Sequence, residues 1–417
     1  MQVRKTGLAL TLISIIFTPG FSQSISTKQL NGSNLNAIES AVPFLTIAPD
    51  SRAGSMGDVG AATSPDINSM HWNLAKICFI KEDAGVGISY TPWLRQLVSD
   101  INLAYLSGYK RIDRQQVIAA SLRYFSLGEI AFTTENSNPP GQLIKYFNPN
   151  EFAIDLGYSR LFTDKLSGGI AFRFIRSDLT GNLSTDGIGV TKAGVAFAAD
   201  ISLYHTQKIR IDKKDVELSY GGVISNMGTK ISYTTGLGKE FIPINLRLGT
   251  SLKMQLDEFN TLAVALDFNK LLVPTPPLYY PVGDTLKNGH VVQQGETFIA
   301  VGKDPNVPVP LGMLQSFYDA PGGFTEELQE WIVCGGLEYV YRNQFALRTG
   351  YFNEAQNKGN RKYFTMGLGL KLNVFSLDFA YLLPTSGRNN PLANTVRFTI
   401  TFLFDKNHKK TSSTNAG

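Results

Sequence analysis

Apolar and polar positions alternate along most of this chain. From residue 152 to 159, Phe152, Ile154, Leu156 and Tyr158 fall on one face, and Ala153, Asp155, Gly157 and Ser159 on the other. Ile244, Leu246, Leu248 and Leu252 oppose Asn245, Arg247, Gly249 and Lys253; Leu262, Val264, Leu266 and Phe268 oppose Thr261, Ala263, Ala265 and Asp267. Near the end, Phe364, Met366, Leu368 and Leu370 oppose Thr365, Gly367, Gly369 and Lys371, and Val396, Phe398, Ile400, Phe402 and Phe404 oppose Arg397, Thr399 and Thr401. Side chains alternate across a strand, so each segment presents one apolar and one polar face. A soluble sandwich would turn the apolar face inward; a membrane barrel turns it outward and lines its lumen with the polar one. Spans of about 9–13 residues match membrane-crossing strands better than the ~5–6 residues of soluble ones. The pattern predicts an all-β fold, a transmembrane antiparallel β-barrel of about fourteen strands.

The predicted spans lie near 84–93, 99–109, 115–134, 150–162, 166–176, 190–204, 214–224, 241–254, 260–270, 330–342, 345–353, 361–372, 375–383 and 394–405. Their connections alternate in kind. Short turns at 163–165, 257–259, 342–344 and 373–374 contrast with longer loops at 135–149, 177–189, 225–240, 271–329 and 384–393, as periplasmic turns contrast with outer loops. Gly128 inside the third span marks an expected kink in the wall.

The N-terminus reads as an export signal over residues 1–22: basic Arg4 and Lys5, an apolar run from Gly7 to Phe17, then Pro19-Gly20 and Ser22-Gln23. That run is too short to span a bilayer as a helix. Residues 23–83 form an N-terminal extension and plug, 84–405 the barrel with its long outer loop 271–329, and 406–417 a periplasmic tail. Within the plug, Phe44, Leu45, Met56 and Trp72 call for burial. Asp50 and Arg52 are placed to meet lumen charges such as Asp155, Arg247, Asp267, Arg348, Asp378 and Arg397. A lumen of both signs reads as a packed, cross-linked interior.

Composition narrows the function classes. The chain has 417 residues, 43% hydrophobic and 18% charged, so disorder is excluded. A net charge of +5 implies no nucleic-acid surface. Four histidines (His71, His205, His290, His408) and two cysteines form no metal-ligand spacing, and no nucleophile–base motif accompanies them. The reading is therefore not an enzyme, with no catalytic, cofactor or metal residues. Cys78 and Cys334 are open to two readings, a plug-to-wall disulfide or two separate buried thiols.

The stretch from Ala41 to Asp66, with Pro49, Asp50, Arg52, Gly54, Met56 and Gly57 at its centre, and then Asn68-Ser69-Met70-His71-Trp72-Asn73, resembles the N-terminal signature of the PorV (LptO) family. Ala120 to Ile130 is similar as well. These are outer-membrane proteins of the type IX secretion system of Bacteroidetes, within the wider group of FadL-like barrels that carry an N-terminal plug. Leu74 departs from the family, which usually has Pro after Trp-Asn. The resemblance implies a cell outer-membrane component of protein transport. Its implied partners are a giant SprA- or Sov-like translocon barrel, cargo proteins with a C-terminal secretion signal, a surface attachment complex containing a sortase, and outer-membrane lipid. From the residues themselves comes one supporting feature: the loop 271–329 carries Tyr279, Tyr280, Phe298, Phe317, Tyr318 and Phe324, the type of side chain that anchors protein interfaces. The same rings could instead pack together and cap the barrel. The rival function is a FadL-type channel for hydrophobic small molecules, which would need an apolar path between plug and wall.

Overall fold

The computed structural model describes residues 35–405, except 95–99, 135–141, 182–183, 186–188, 212–213, 235–237, 287 and 386–394. The signal segment 1–22 and the tail 406–417 lie outside the described residues. The chain divides after Leu35, and the barrel belongs to the unit that begins at Asn36.

Fourteen of the described strands close into an antiparallel barrel: β1 (Ala84–Pro92), β2 (Ile101–Arg111), β3 (Gln116–Leu127), β4 (Asn150–Thr163), β5 (Leu166–Asp178), β6 (Gly194–Ile211), β7 (Lys214–Gly228), β8 (Asn245–Gln255), β9 (Asn260–Leu271), β10 (Ile332–Tyr341), β11 (Phe345–Asn353), β12 (Lys362–Leu372), β13 (Phe375–Pro384) and β14 (Val396–Phe404). Each strand pairs with its sequence neighbour, and β14 returns to β1, with Phe402 opposite Val86 and Phe398 opposite Tyr90. The faces are inverted relative to a soluble protein. Val86, Ile88, Leu122, Leu156, Phe172, Phe197, Leu203 and Leu368 are exposed on the outside, whereas Ser89, Ser121, Arg123, Asp155, Arg173 and Asp267 are buried inside. An apolar outer band around a polar interior is the signature of a barrel that sits in lipid.

The described turns at one end are short: 112–115, 164–165, 256–259, 342–344 and 373–374. Polar side chains close them locally. Asp113 accepts from the amides of Gln115 (2.7 Å) and Gln116 (2.8 Å), and Asp257 from those of Phe259 and Asn260, both at 2.9 Å. Arg342 and Asn343 both have positive φ, 51° and 54°, as the two central residues of a turn closed by Gln344 N donating to the Tyr341 carbonyl (3.0 Å). Short turns mark the periplasmic end and long connections the outer end.

Expected span limits and the role of Gly128 are corrected. The third span does not run to 134: β3 stops at Leu127, and Gly128 (φ +81°) turns the chain out of the wall into a separate hairpin, Ile130–Thr134 with Gln142–Phe147. A Cβ on Gly128 would lie 2.3 Å from the Asp100 carboxylate, so glycine is required at this departure, not at a wall kink. β2, β3 and β4 pair without a register shift. The expected sixth span, 190–204, is displaced to Gly194–Ile211, and the seventh extends to Gly228. The long loop between β9 and β10, as expected in extent, holds a strand pair, Leu278–Tyr279 with Ile299–Val301, and two short helices, Val309–Gln315 and Phe324–Gln329.

Candidate functional site

Residues 36–80 precede the barrel and bond to its inward-facing side chains almost all the way round. The backbone of Ser51 donates to Thr399 of β14 (2.9 Å), and Gly57 to Thr365 of β12 (2.8 Å). Gly60 and Ala61 donate to the Asp267 carboxylate of β9 (2.7 and 2.9 Å), and Ala75 to Ser202 of β6 (3.1 Å). In return Ser167 of β5 donates to the Ala75 carbonyl (2.6 Å), and Arg123 of β3 to that of Leu45 (2.7 Å). Glycines on the wall make room for this backbone. A Cβ on Gly350 would meet the Met56 carbonyl carbon at 2.1 Å, and one on Gly221 the Ala61 oxygen at 2.0 Å. The inward glycines of the alternating pattern are thus close-approach positions, which only hydrogen allows.

Charges fasten the segment. Arg52 donates twice to Glu338 of β10 (2.9 and 3.0 Å) and reaches Asp66 (2.7 Å). Glu338 also holds Arg348 of β11 (2.7 Å), which holds Asp378 of β13 (2.6 Å). Asp58 meets Arg397 (3.3 Å) and accepts from the Tyr363 hydroxyl (2.7 Å). Arg247 donates to the Asp58 carbonyl (2.8 Å) and stacks its guanidinium on Trp72. Within the wall, Arg173 bridges Asp155 (2.5 Å) and Asp200 (3.0 Å).

The plug-motif residues come together here, with one change of role. Arg52 bonds to the wall, through Glu338. Asp50 does not: it caps the short helix Ser51–Gly54 by accepting from Ala53 N (3.0 Å), and accepts from Trp72 Nε1 (2.6 Å). Burial, with Asp66 nearby, pushes its carboxyl up to about 6. Asn73 donates to the carbonyls of Ala61 and Leu203 (2.8 and 3.0 Å); Pro49, Gly54, Met56 and Gly57 are buried beside it or against the wall. Burial lowers the Lys76 ammonium to about 8, and its proton donors reach Gly60 O (2.6 Å) and Thr63 Oγ1 (3.0 Å). Sequence reasoning missed Glu338, Arg123, Arg173 and Asp58. The first three were marked only by charge on a polar strand face, Asp58 only by its place in the motif. The thiols are separate: Cys78 contacts Ser159 (3.1 Å) and Cys334 is reached by Asn269 (3.5 Å), both buried and free. His71 contacts Arg123 and is held well below its usual range by burial and that cation; His290 pairs with Glu296 in the outer loop (2.8 Å); His205 lies in β6, and His408 outside the described residues.

Above the segment a vestibule of about 1020 Å3 opens at the outer end. Its floor is Asp58, Trp72, Arg247 and Arg397, and its sides include Trp93, Phe241, Pro274 and Tyr279. Arg397 Nε and Asn269 Oδ1 are buried at this floor without a partner. The outer loop leans over it, anchored by a buried ionic hub. Lys270 meets Glu327 (3.1 Å) and Glu330 (2.5 Å), while Lys358 meets Glu326 (2.5 Å) and Glu330 (3.0 Å). Beyond that base the predicted rings point outward: Phe324 is 77% exposed, Tyr318 55%, Tyr279 48% and Phe317 45%, with Phe298 at the margin and Tyr280 half-buried. Leu314 and Leu328, on the two short helices of the loop, are exposed as well.

A family model described as "Type IX secretion system protein PorV" matches residues 30–278. No curated protein matches the chain. Among solved structures, the chain is similar to the Pseudomonas putida toluene transporter TodX (11% identity, 88% of this chain and 98% of that one, TM-score 0.46). It is similar also to the Ralstonia pickettii toluene transporter TbuX (12%, 86% and 98%, TM-score 0.41) and to a Pseudomonas aeruginosa FadL homologue (10%, 85% and 98%, TM-score 0.41).

Proposed function

This chain belongs to the PorV family of type IX secretion system outer-membrane proteins, and we propose that it docks on the translocon barrel, accepts cargo through the cargo's C-terminal signal domain and passes it to the surface attachment complex. The observation that carries this reading is the outer loop. Its apolar side chains stand in solvent above a barrel whose interior is already occupied, and exposed clusters of this kind are contact surfaces. Residues 36–80 act as a plug in this reading.

A channel for hydrophobic small molecules is the second reading, and two features weigh against it. The vestibule lining ends on charged Asp58, Arg247 and Arg397, and the wall at Gly128 has an unbroken register, so neither an apolar path nor a side exit is in place among the described residues.

The test replaces Leu314, Tyr318, Phe324 and Leu328 together with serine. These side chains are exposed, so the barrel should stay folded and heat-modifiable. If each anchor carries ~2 kcal/mol, recovery of a cargo signal domain with the protein should fall well over tenfold. Secretion at the normal rate by the folded variant would remove the loop from the interface.

A further inference from the structure

The outer wall of the barrel is not evenly convex. Over β10–β13 it carries a groove of about 710 Å3, within the ~300–1,000 Å3 range of small-molecule sites. Register explains its shape. Leu337, Thr349, Met366 and Tyr381 form one outward row across the four strands, and Thr349 is its short member. In the next row, Tyr339 and Phe379 stand at opposite ends and wall the depression. The rows lie three to seven residues from the turns at 342–344 and 373–374, about 10–23 Å along the strands at ~3.3 Å per residue, which places the groove between the periplasmic turns and the middle of the apolar band.

The panel behind the groove is braced. On its inner side Glu338, Arg348 and Asp378 form an ion-paired row across β10, β11 and β13, joined to Arg52. Between them Gly367 lies so near Ser55 that a Cβ would stand 2.3 Å from that residue's Cβ. A backing this tightly packed keeps the groove shaped before anything enters it, which lowers the cost of binding.

We propose that this groove holds one acyl chain of a phospholipid from the periplasmic leaflet, with its phosphate at Arg342. The groove lies in the lipid-facing band and its walls are aliphatic and aromatic, so an acyl chain matches it along its length. A protein segment would bring peptide or side-chain polar groups that find no answer there. The Thr349 hydroxyl already donates to the Thr365 carbonyl (3.0 Å), and that of Tyr339 donates to Asn260. Arg342 sits in the turn below the groove, exposed, stacked on Phe259 and Tyr341, with no carboxylate partner among the described residues. A guanidinium so placed suits a phosphate.

Two measurements test this. The barrel, purified in mild detergent, is compared by native mass spectrometry as wild type, Thr349→Trp and Arg342→Gln. The wild type should retain one phospholipid. Filling the groove with Thr349→Trp should cut retention roughly tenfold or more, and Arg342→Gln should cut it severalfold. Equal retention in wild type and Thr349→Trp would overturn the site. The second measurement needs no variant. Wild-type protein in phosphatidylethanolamine–phosphatidylglycerol vesicles, doped with a phospholipid photoactivatable in its acyl chain, should form adducts at Leu347 and Met366. Adducts spread evenly over the outer band, at Ile88 and Phe172 as much as here, would overturn it. Loss of a co-purifying protein in Thr349→Trp with lipid retention unchanged would assign the groove to a protein instead.

Discussion

Two regions of this molecule use the same residue types to opposite ends. Inside the barrel, residues 36–80 bury Phe44, Met56 and Trp72, and Arg52, Arg247 and Arg397 each find a carboxylate or a carbonyl. In the outer loop, Phe324, Tyr318 and Leu314 stand in solvent, and the buried charged groups gather at the loop's base, around Lys270 and Lys358. The interior is fastened on many strands at once; the loop is fastened at its base, by the hub and by Val309 and Met313 packed on the apolar cluster around Phe241. Breaking one bond in the first region leaves a buried charge short of a partner. Breaking one in the second frees a segment without disturbing the wall. The difference separates a segment bonded into the barrel interior from a loop whose apolar side chains face solvent.

The largest expected effect comes from Glu338→Ala. Glu338 is shared by Arg52 and Arg348, so its removal leaves two buried guanidinium groups facing each other. Losing one partner of a buried pair costs about 3–5 kcal/mol. The barrel should unfold at lower urea, and the inner segment should loosen enough to pass ions in a planar bilayer. Wild-type urea midpoint and no conductance would mean that the remaining strand contacts hold the segment alone, and the contrast between the regions would fail.

Lys270→Ala acts on the second region and should have a smaller effect. Glu327 and Glu330 lose a cation, but Lys358 still reaches Glu330. A charge-assisted bond contributes about 2 kcal/mol. Limited proteolysis near 303–308 should quicken about thirtyfold at most, while the urea midpoint of the barrel stays near wild type. A large fall in that midpoint would show that the hub belongs to the barrel rather than to the loop.

How much of this was legible in the sequence depends on how local each feature is. Alternation in segments such as 152–159 fixes the faces, because a strand repeats every two residues and lipid selects the outer set. Asp257 closes its turn with its own side chain, so that turn could be read; Asp113 does the same at 112–115, a turn not among those expected. The sixth strand was misplaced because Thr206, Gln207 and Lys208 put polar residues on both faces once the strand leaves the membrane. Gly128 was read as a kink, since sequence does not show that β4 pairs β3 only up to Ser126. Asp50 was read as a wall contact, although an Asp before Ser-Arg-Ala is also a helix cap. The hub was invisible: Lys270, Glu330 and Lys358 come from three separate places in the chain, and no local pattern links them.

The smallest effect concerns Asp319, and it sharpens the loop half of the comparison. Asp319 is buried beside the hub, accepts from Thr275 N (3.1 Å), and leaves its Oδ1 without a partner. Burial first, then Glu330 and Glu327 nearby, raise its carboxyl to about 6 from an ordinary 3.8. Lys270 and Lys358 answer those neighbours rather than Asp319. A raised acid pKa means that the docked loop binds a proton more readily than the free loop does. Docking is therefore favoured as pH falls through 6 toward 4, and this contribution is lost as pH rises through 6. The hub carboxylate Glu326 is shifted the other way, by burial outweighed by Lys358 and its other hydrogen bonds, so it weakens docking only below its ordinary 4.5. Between pH 5 and 7 Asp319 should thus dominate. Amide exchange at Thr275 and Ala320, corrected for intrinsic rate, should be a few times slower at pH 5 than at pH 7 in the wild type. Asp319→Asn keeps the shape and removes the charge, so its protection should be flat over that range and match the wild-type value at pH 5. Equal slopes in the two proteins would place the pH response elsewhere in the loop.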